Sequence, residues 1–184
     1  KTFFHLKRVV WLDHGNLIGD DTDGHIDTIV RVAPHDTLLY VGGDDPEDEQ
    51  YEDFQALEKQ LQSLFTWEGY PYRLLKLPMP DPIFDEGDHL TTDKDSKGDR
   101  LPATYANFLI LNKAVIYPTY NQPAKDEEAR KQIQLAFPDR DIIGVDSRTI
   151  IRQHGSIHCL TMQLPEGALR GDKNEYPEAA QWQT

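Results

Sequence analysis

The sequence repeats one order of predicted elements, and this repeat constrains the fold more than any other feature. Alternating apolar residues predict strands, and apolar residues at helical spacing predict two amphipathic helices. The order strand, strand, helix, strand occurs twice, which predicts an α/β fold built from similar modules. The first set covers residues 6–12, 38–41, 49–65 and 72–77, and the second covers residues 107–111, 114–117, 126–137 and 141–145.

Composition limits the function classes. With 184 residues, 38% of them hydrophobic, the chain is long enough for one domain or two small modules. The formal charge of −13 argues against nucleic acid and is compatible with a small cationic substrate. Much of the acidic excess, however, lies in residues 44–49 and 85–99, where we expect solvated loops and a helix start. No apolar run approaches the roughly 20 residues of a membrane span, so we expect no membrane partner.

The cysteine content and the first residue lead to expectations about disulfides, cellular location and chain length. Cys159 is the only cysteine, which excludes an intramolecular disulfide and predicts a cytoplasmic protein. It is read either as a small core residue or as a nucleophile. The chain begins at Lys1 without a methionine, and we expect a fragment of a longer protein.

Residues 19–28 combine four carboxylates, a histidine and two glycines before an apolar segment that fits either a helical turn or a strand. Much of this stretch is explained by the chemistry of turns and helix caps. An EF-hand loop aligned on its second glycine fails, because Gly19 and Val30 would occupy its first and last ligand positions. What remains is His25 with Asp27, where a polar loop enters buried structure.

A second candidate region is residues 154–161, which set the cysteine beside polar and glycine residues at the start of a predicted strand, 158–163. A zinc site from His154, His158 and Cys159 is the alternative. Successive side chains of a strand point to opposite faces, so His158 and Cys159 would not reach one ion. We therefore expect no metal, and we expect His158 to be a packed or hydrogen-bonded neighbour.

Four blocks together resemble the C-terminal half of the agmatine deiminase family, which also contains the Porphyromonas-type peptidylarginine deiminases. They occur in the family's order, up to about Pro165. The blocks are DDTDGHIDT at residues 20–28, RLPATYANF at 100–108, FPDR at 137–140 and GSIHCLT at 155–161.

The resemblance implies the pentein fold, a propeller of five pseudosymmetric ββαβ modules around a central site. This chain would be the C-terminal part of a single pentein domain and would carry about two of the five modules. Their approximate bounds would be residues 1–100 and 101–165, followed by a tail at 166–184.

The resemblance also implies a reaction: hydrolysis of agmatine to N-carbamoylputrescine and ammonia, a step of putrescine and polyamine biosynthesis. By that logic Cys159 attacks the guanidinium carbon and forms a covalent thiouronium intermediate. His25 protonates the leaving ammonia and then activates water, while Asp27 binds the guanidinium nitrogens. A thiolate suits this poor electrophile, and neither a cofactor nor a metal is required.

Two alternative functions remain. The same chemistry on peptides ending in arginine is one rival, and a non-catalytic guanidinium-binding module is the other. The second rests on residues 153–156, which read Gln-His-Gly-Ser where the family commonly has Gly-Gly-Gly-Asn. The family's other guanidinium-binding carboxylates belong to upstream motifs that do not occur in this sequence. Whether the protein forms a homo-oligomer is left open.

Overall fold

The computed structural model describes residues 6–21, 24–85 and 98–164. They form two small sheets, each accompanied by one helix. Most of the predicted acidic loop at 85–99 and the whole tail at 166–184 lie outside the described residues. In chain order the elements are β1 (Val30–Ala33), β2 (Thr37–Gly42), α1 (Tyr51–Gln62), β3 (Arg73–Pro78), β4 (Leu109–Ile110), β5 (Ala114–Thr119), α2 (Pro123–Ala136) and β6 (Asp141–Asp146), with 3₁₀ helices at Ile26–Thr28, Ile150–Gln153 and His158–Leu160.

The two sheets share one topology. In the first, with the order β1-β2-β3, β1 is antiparallel to β2 and β2 is parallel to β3. In the second, with the order β4-β5-β6, β4 is antiparallel to β5 and β5 is parallel to β6. In both units the helix lies in the connection between the two parallel strands, as such a crossover requires. The predicted order strand, strand, helix, strand therefore occurs in both units, with β1 and not residues 6–12 as the first strand of the first unit.

Each helix buries one apolar stripe. Phe54, Leu57 and Leu61 of α1 are buried, as are Ala129 and Ile133 of α2. Helix α2 begins three residues before the predicted start because proline fits the first helical turn. In the part of the chain that the structure describes, no helix is long and apolar enough to cross a membrane.

The two units share one core and are joined by buried hydrogen bonds. The core cluster contains residues of both sheets and both helices, and α2 packs against β3 as well as β6. The Thr104 hydroxyl donates to the carbonyl oxygen of Thr28 at 2.6 Å. The Tyr120 hydroxyl in turn donates to the carbonyl oxygen of Thr104 at 2.9 Å. The segment that leads into β4 is thereby fixed against the segment that leads into β1.

The predicted strand at residues 6–12 is wrong, because this segment has no regular secondary structure. Its chain is held by a side chain of α1 instead of by a sheet. The Gln60 amide nitrogen donates to the carbonyl oxygen of Trp11 at 3.2 Å, and the backbone N–H of Asp13 donates to the Gln60 amide oxygen at 2.9 Å. The first strand of the unit is β1, which follows the acidic stretch.

The predicted strand at residues 158–163 is also wrong. His158–Leu160 forms a 3₁₀ helix, which is closed by the backbone N–H of Leu160 donating to the Ile157 carbonyl oxygen at 3.2 Å and that of Thr161 donating to the His158 carbonyl oxygen at 3.0 Å. The alternation argument against zinc therefore does not apply to this segment.

A buried ion pair fixes the loop before α1 to residues 98–102. The Arg100 guanidinium donates to both carboxylate oxygens of Asp48, at 2.9 and 2.7 Å. These hydrogen bonds hold the pKa of Asp48 below its ordinary value. Residues 100–102 also lie against Gly19, where a Cβ would clash with the carbonyl oxygen of Arg100. The ion pair thus anchors residues 100–102, which border the acidic stretch at residues 19–28.

We expect Asp48→Asn to destabilise the full-length protein containing this chain by about 3 kcal/mol at pH 7, since Arg100 would lose its buried partner. A carboxylate whose pKa is depressed in the folded state contributes its full stabilisation at pH values above its pKa in the unfolded state. This contribution is lost as the pH falls through its pKa in the folded state. The difference from wild type should therefore shrink below about pH 4. Urea unfolding across pH measures it, with Asp81→Asn, at an exposed ion pair to Lys125, as the control. A difference that does not change with pH would contradict this account.

Candidate active site

Asp27 is positioned by a single 3₁₀ turn, Ile26–Thr28, directly before β1. Thr28 closes this turn, because its hydroxyl lies 2.8 Å from the carbonyl oxygen of His25 and 3.0 Å from a carboxylate oxygen of Asp20. The segment predicted as either helical turn or strand is both in succession, a turn and then β1. The Asp27 side chain is mostly buried, with 18% of it exposed.

Asn107 connects Asp27 to the cysteine segment. Its side chain is fully buried, and its amide nitrogen donates to Asp27 Oδ2 at 3.0 Å and lies 3.3 Å from Cys159 Sγ. Its amide oxygen accepts from the backbone N–H of His158 at 2.8 Å. One carboxamide therefore holds the carboxylate of the first unit and the backbone of the cysteine turn.

Cys159 lies at the surface of this cluster. Its thiol is exposed, and Sγ is 4.0 Å from Asp27 Oδ2. The two residues are separated by 132 positions, so segments from both units converge on one site. An exposed sulfur beside a fixed carboxamide and a carboxylate is a candidate nucleophile and not a core side chain.

His158 forms a close pair with the same carboxylate. Its Nδ1 lies 2.6 Å from Asp27 Oδ2, and 27% of the imidazole is exposed. The prediction of a hydrogen-bonded neighbour is confirmed for this residue.

His25 lies on a cavity next to Asp27 and does not contact the cysteine. His25, Asp27 and His158 line an open cavity of about 610 Å³. Among the described residues, none forms a hydrogen bond with the His25 ring, which is exposed. Of the three predicted site residues, Asp27 and Cys159 are thus brought together, and His25 faces the cavity beside them.

Arg31 places a buried cation beneath the site. Only 8% of this residue is exposed, and its guanidinium donates to the carbonyl oxygen of Ala106, at 3.1 Å, and to that of Phe108. Burial lowers the pKa of Arg31, and the negative charges of Asp27 and Cys159 oppose this effect. Arg31 therefore fixes the backbone on both sides of Asn107 and supplies positive charge near the site.

Residues 153–156, which depart from the family's glycine-rich pattern, include one residue in the left-handed conformation that glycine commonly adopts. His154 has a φ of 63°, a left-handed conformation that most residues avoid. Its Nδ1 lies 2.9 Å from the carbonyl oxygen of Gly19, so its ring connects this turn to the acidic stretch. Gly155 lies directly against the cysteine, because a Cβ there would be 3.2 Å from Cys159 Cβ.

Asn107 and Arg31 were not predicted as site residues. Arg31 did leave a signal, since it is a charged residue between two valines of an apolar strand, where burial demands partners. Asn107 lies in the block at residues 100–108, but a single asparagine before a short strand does not by itself indicate burial. Its two partners lie 80 and 52 positions away in the sequence.

The exposed thiol lies beside the carboxylate of Asp27, and this carboxylate lines a cavity together with two imidazoles. These are the groups that covalent cysteine catalysis uses. Within residues 6–21, 24–85 and 98–164, no group of three histidine, cysteine or acidic side chains is arranged to hold a metal ion. Residues 1–165 match the family described as Porphyromonas-type peptidyl-arginine deiminase. The chain belongs to this family of deiminases, as its motifs predict.

Curated relatives agree with this assignment. A Marinomonas protein provisionally named agmatine deiminase is 37% identical over 172 residues, covering 90% of this chain and 46% of the relative. A Listeria monocytogenes protein with the same provisional name is 36% identical, with 90% and 46% covered. The chain thus spans about half the length of the curated relatives it matches.

Solved structures agree as well. A Porphyromonas gingivalis protein, provisionally described as an arginine deiminase, superposes with a TM-score of 0.83 at 47% identity, covering 92% of this chain and 46% of that one. An agmatine deiminase from C. jejuni, with a cysteine-to-serine substitution and substrate bound, gives 0.73 at 38% identity, with 85% and 42% covered. This chain therefore has the α/β fold of these deiminases.

We expect Arg31→Met to destabilise the full-length protein by about 2 to 4 kcal/mol, because the carbonyl groups flanking Asn107 would lose their donor. Urea unfolding measures the change. Arg73→Met is the matched control, since the exposed Arg73 also donates to the backbone but to one carbonyl only, that of Leu135, at 3.4 Å. We expect the control to change stability by less than about 0.5 kcal/mol. Equal effects of the two substitutions would refute the role assigned to Arg31.

Proposed function

We propose that the protein containing this chain is an agmatine deiminase that converts agmatine and water to N-carbamoylputrescine and ammonia, and so serves putrescine and polyamine synthesis. The observation that carries the proposal is the convergence of Cys159 Sγ on Asp27 Oδ2 at 4.0 Å, in a cluster held by the buried Asn107. The names of the relatives at 36 and 37% identity support the choice of agmatine.

The proposed reaction has two halves. Asp27 binds the planar guanidinium cation by charge-assisted hydrogen bonds. The Cys159 thiolate attacks the guanidinium carbon, the carbon–nitrogen bond breaks, and ammonia leaves with a proton from His25. His25 then takes a proton from water, whose oxygen attacks the same carbon. The carbon–sulfur bond breaks, which restores the thiolate and releases the ureido product.

The position of His25 fits a proton-transfer role in this scheme. Its ring is exposed on the cavity that Asp27 and His158 also line, so a substrate bound to Asp27 would lie within its reach. Catalytic hydrogen bonds often form only when substrate is present, so the separation of His25 from Cys159 is compatible with the role.

The full-length protein would complete both fold and site. We propose that the two ββαβ units, within residues 1–100 and 101–165, are two of five modules in one pentein domain. Because the chain spans 46% of its relatives, further carboxylates for the guanidinium would come from the remaining modules. A cytoplasmic location remains a prediction.

Peptides ending in arginine are the second candidate substrate. The family description and the P. gingivalis structure favour this reading, and the same site chemistry would serve it. The two substrates differ only beyond the guanidinium group, where agmatine carries an amine and the peptide a carboxylate.

We expect the full-length protein to release ammonia from agmatine, and Cys159→Ser to lower kcat by at least about 10³-fold because a hydroxyl is a far weaker nucleophile here. A coupled ammonia assay with agmatine and with a peptide ending in arginine measures both points. Turnover of the peptide alone would transfer the assignment to the second candidate.

The control for this substitution is Ser63→Ala, at an exposed residue at the end of α1, which should leave turnover unchanged. Normal turnover by the Cys159→Ser protein would contradict the proposed mechanism. Binding of agmatine without ammonia release by the wild type would instead indicate a guanidinium-binding module.

A further inference from the structure

We propose that His158 is a positioning residue of this site: its Nδ1–H holds Asp27 so that the other carboxylate oxygen faces the guanidinium substrate. The inference rests on the proposed function and adds a role for a second histidine. It starts from the pair at 2.6 Å between His158 Nδ1 and Asp27 Oδ2, an interaction that the proposed chemical steps do not use.

The two oxygens of Asp27 have different surroundings. Among the described residues, every hydrogen bond to the Asp27 side chain uses Oδ2, which accepts from His158 and from the Asn107 amide at 3.0 Å. Oδ1 therefore keeps its accepting capacity for a cation. Two donors on one oxygen also fix the rotation of the carboxylate, which sets the direction in which Oδ1 points.

The partner defines the tautomer of His158. An ionised carboxylate only accepts hydrogen bonds, so Nδ1 of His158 must carry the proton that it shares with Asp27. The backbone of His158 is itself fixed, because its N–H donates to the Asn107 side chain at 2.8 Å. His158 is thus held at its backbone and at its ring, as a group that orients another group needs to be.

The residues around Asp27 indicate that His158 orients the carboxylate and does not mainly balance its charge. Arg31 already supplies a buried positive charge that interacts with the negative charge of Asp27. His158 adds a hydrogen-bond donor directed at the carboxylate, whereas Nη1 of Arg31 donates to the carbonyl oxygens of Ala106 and Phe108.

A pair of alkylating reagents isolates this role without relying on turnover. 2-Chloroacetamidine is a planar cation that resembles a guanidinium group, and 2-chloroacetamide is its neutral counterpart. Both alkylate a thiolate with loss of chloride. The ratio of their rates at Cys159 of the full-length protein, measured by mass spectrometry, reports how well Asp27 presents an oxygen to a planar cation.

Three substitutions separate the functions of the ring. An asparagine amide nitrogen occupies nearly the place of Nδ1, whereas a glutamine amide nitrogen lies nearer the place of Nε2. We expect His158→Ala and His158→Gln to lower the amidine-to-amide rate ratio about tenfold and to leave the chloroacetamide rate within about twofold. His158→Asn should retain the wild-type ratio.

Steady-state kinetics give the second readout. We expect the alanine and glutamine variants to raise KM for agmatine about tenfold, with a smaller change in kcat, because the lost hydrogen bond orients bound substrate. A purely structural role would lower the fraction of active protein and leave KM and the rate ratio unchanged.

The outcomes distinguish this inference from the function on which it rests. A wild-type protein that reacts no faster with the amidine than with the amide has no guanidinium site, and both proposals fall. A wild-type preference that persists in His158→Ala and His158→Gln overturns the positioning role alone. Loss of the preference in His158→Asn as well would show that the Nδ1 donor is not what matters, and would also overturn it.

Discussion

The site depends on one buried carboxamide. Asn107 is fully buried, and its single side chain bonds Asp27 Oδ2, lies 3.3 Å from Cys159 Sγ and accepts the backbone N–H of His158. It contacts the carboxylate of the first ββαβ unit and the backbone of the turn that carries the cysteine, in addition to the direct pair between Asp27 and His158. Because buried amides are costly when unpaired, this arrangement is strongly specified.

Other interactions between the two units fix the backbone around Asn107 and its partners. Arg31 extends from β1 and fixes the carbonyl groups on either side of Asn107. Thr104 bonds the carbonyl oxygen of Thr28, the last residue of the turn that presents Asp27. On the far side, His154 bonds the carbonyl oxygen of Gly19. The departure from the family's glycine-rich pattern is therefore accommodated, since the histidine adopts the left-handed conformation and gains a partner.

Local pattern predicted most of the architecture. The helices followed from the spacing of residues such as Phe54 and Leu57, and the element order strand, strand, helix, strand was predicted for both units, although not the pairing of the strands. The sequence could not show that residues 6–12 bond to Gln60 of α1 or that the cysteine segment is a 3₁₀ turn, because both outcomes depend on distant partners. In the same way, Asp27, His25 and Cys159 were found through their motifs, whereas Asn107 acquires its meaning only from residues 52 and 80 positions away.

In the proposed mechanism Cys159, held beside Asp27, forms the covalent bond to substrate. Mass spectrometry of the full-length protein, quenched in acid during turnover of agmatine and then digested, tests this step. We expect the peptide containing Cys159 to gain the mass of agmatine less ammonia, and this adduct to decay as agmatine is consumed. Turnover with the adduct on another residue, or with an unmodified Cys159 peptide throughout single-turnover conditions, would contradict it.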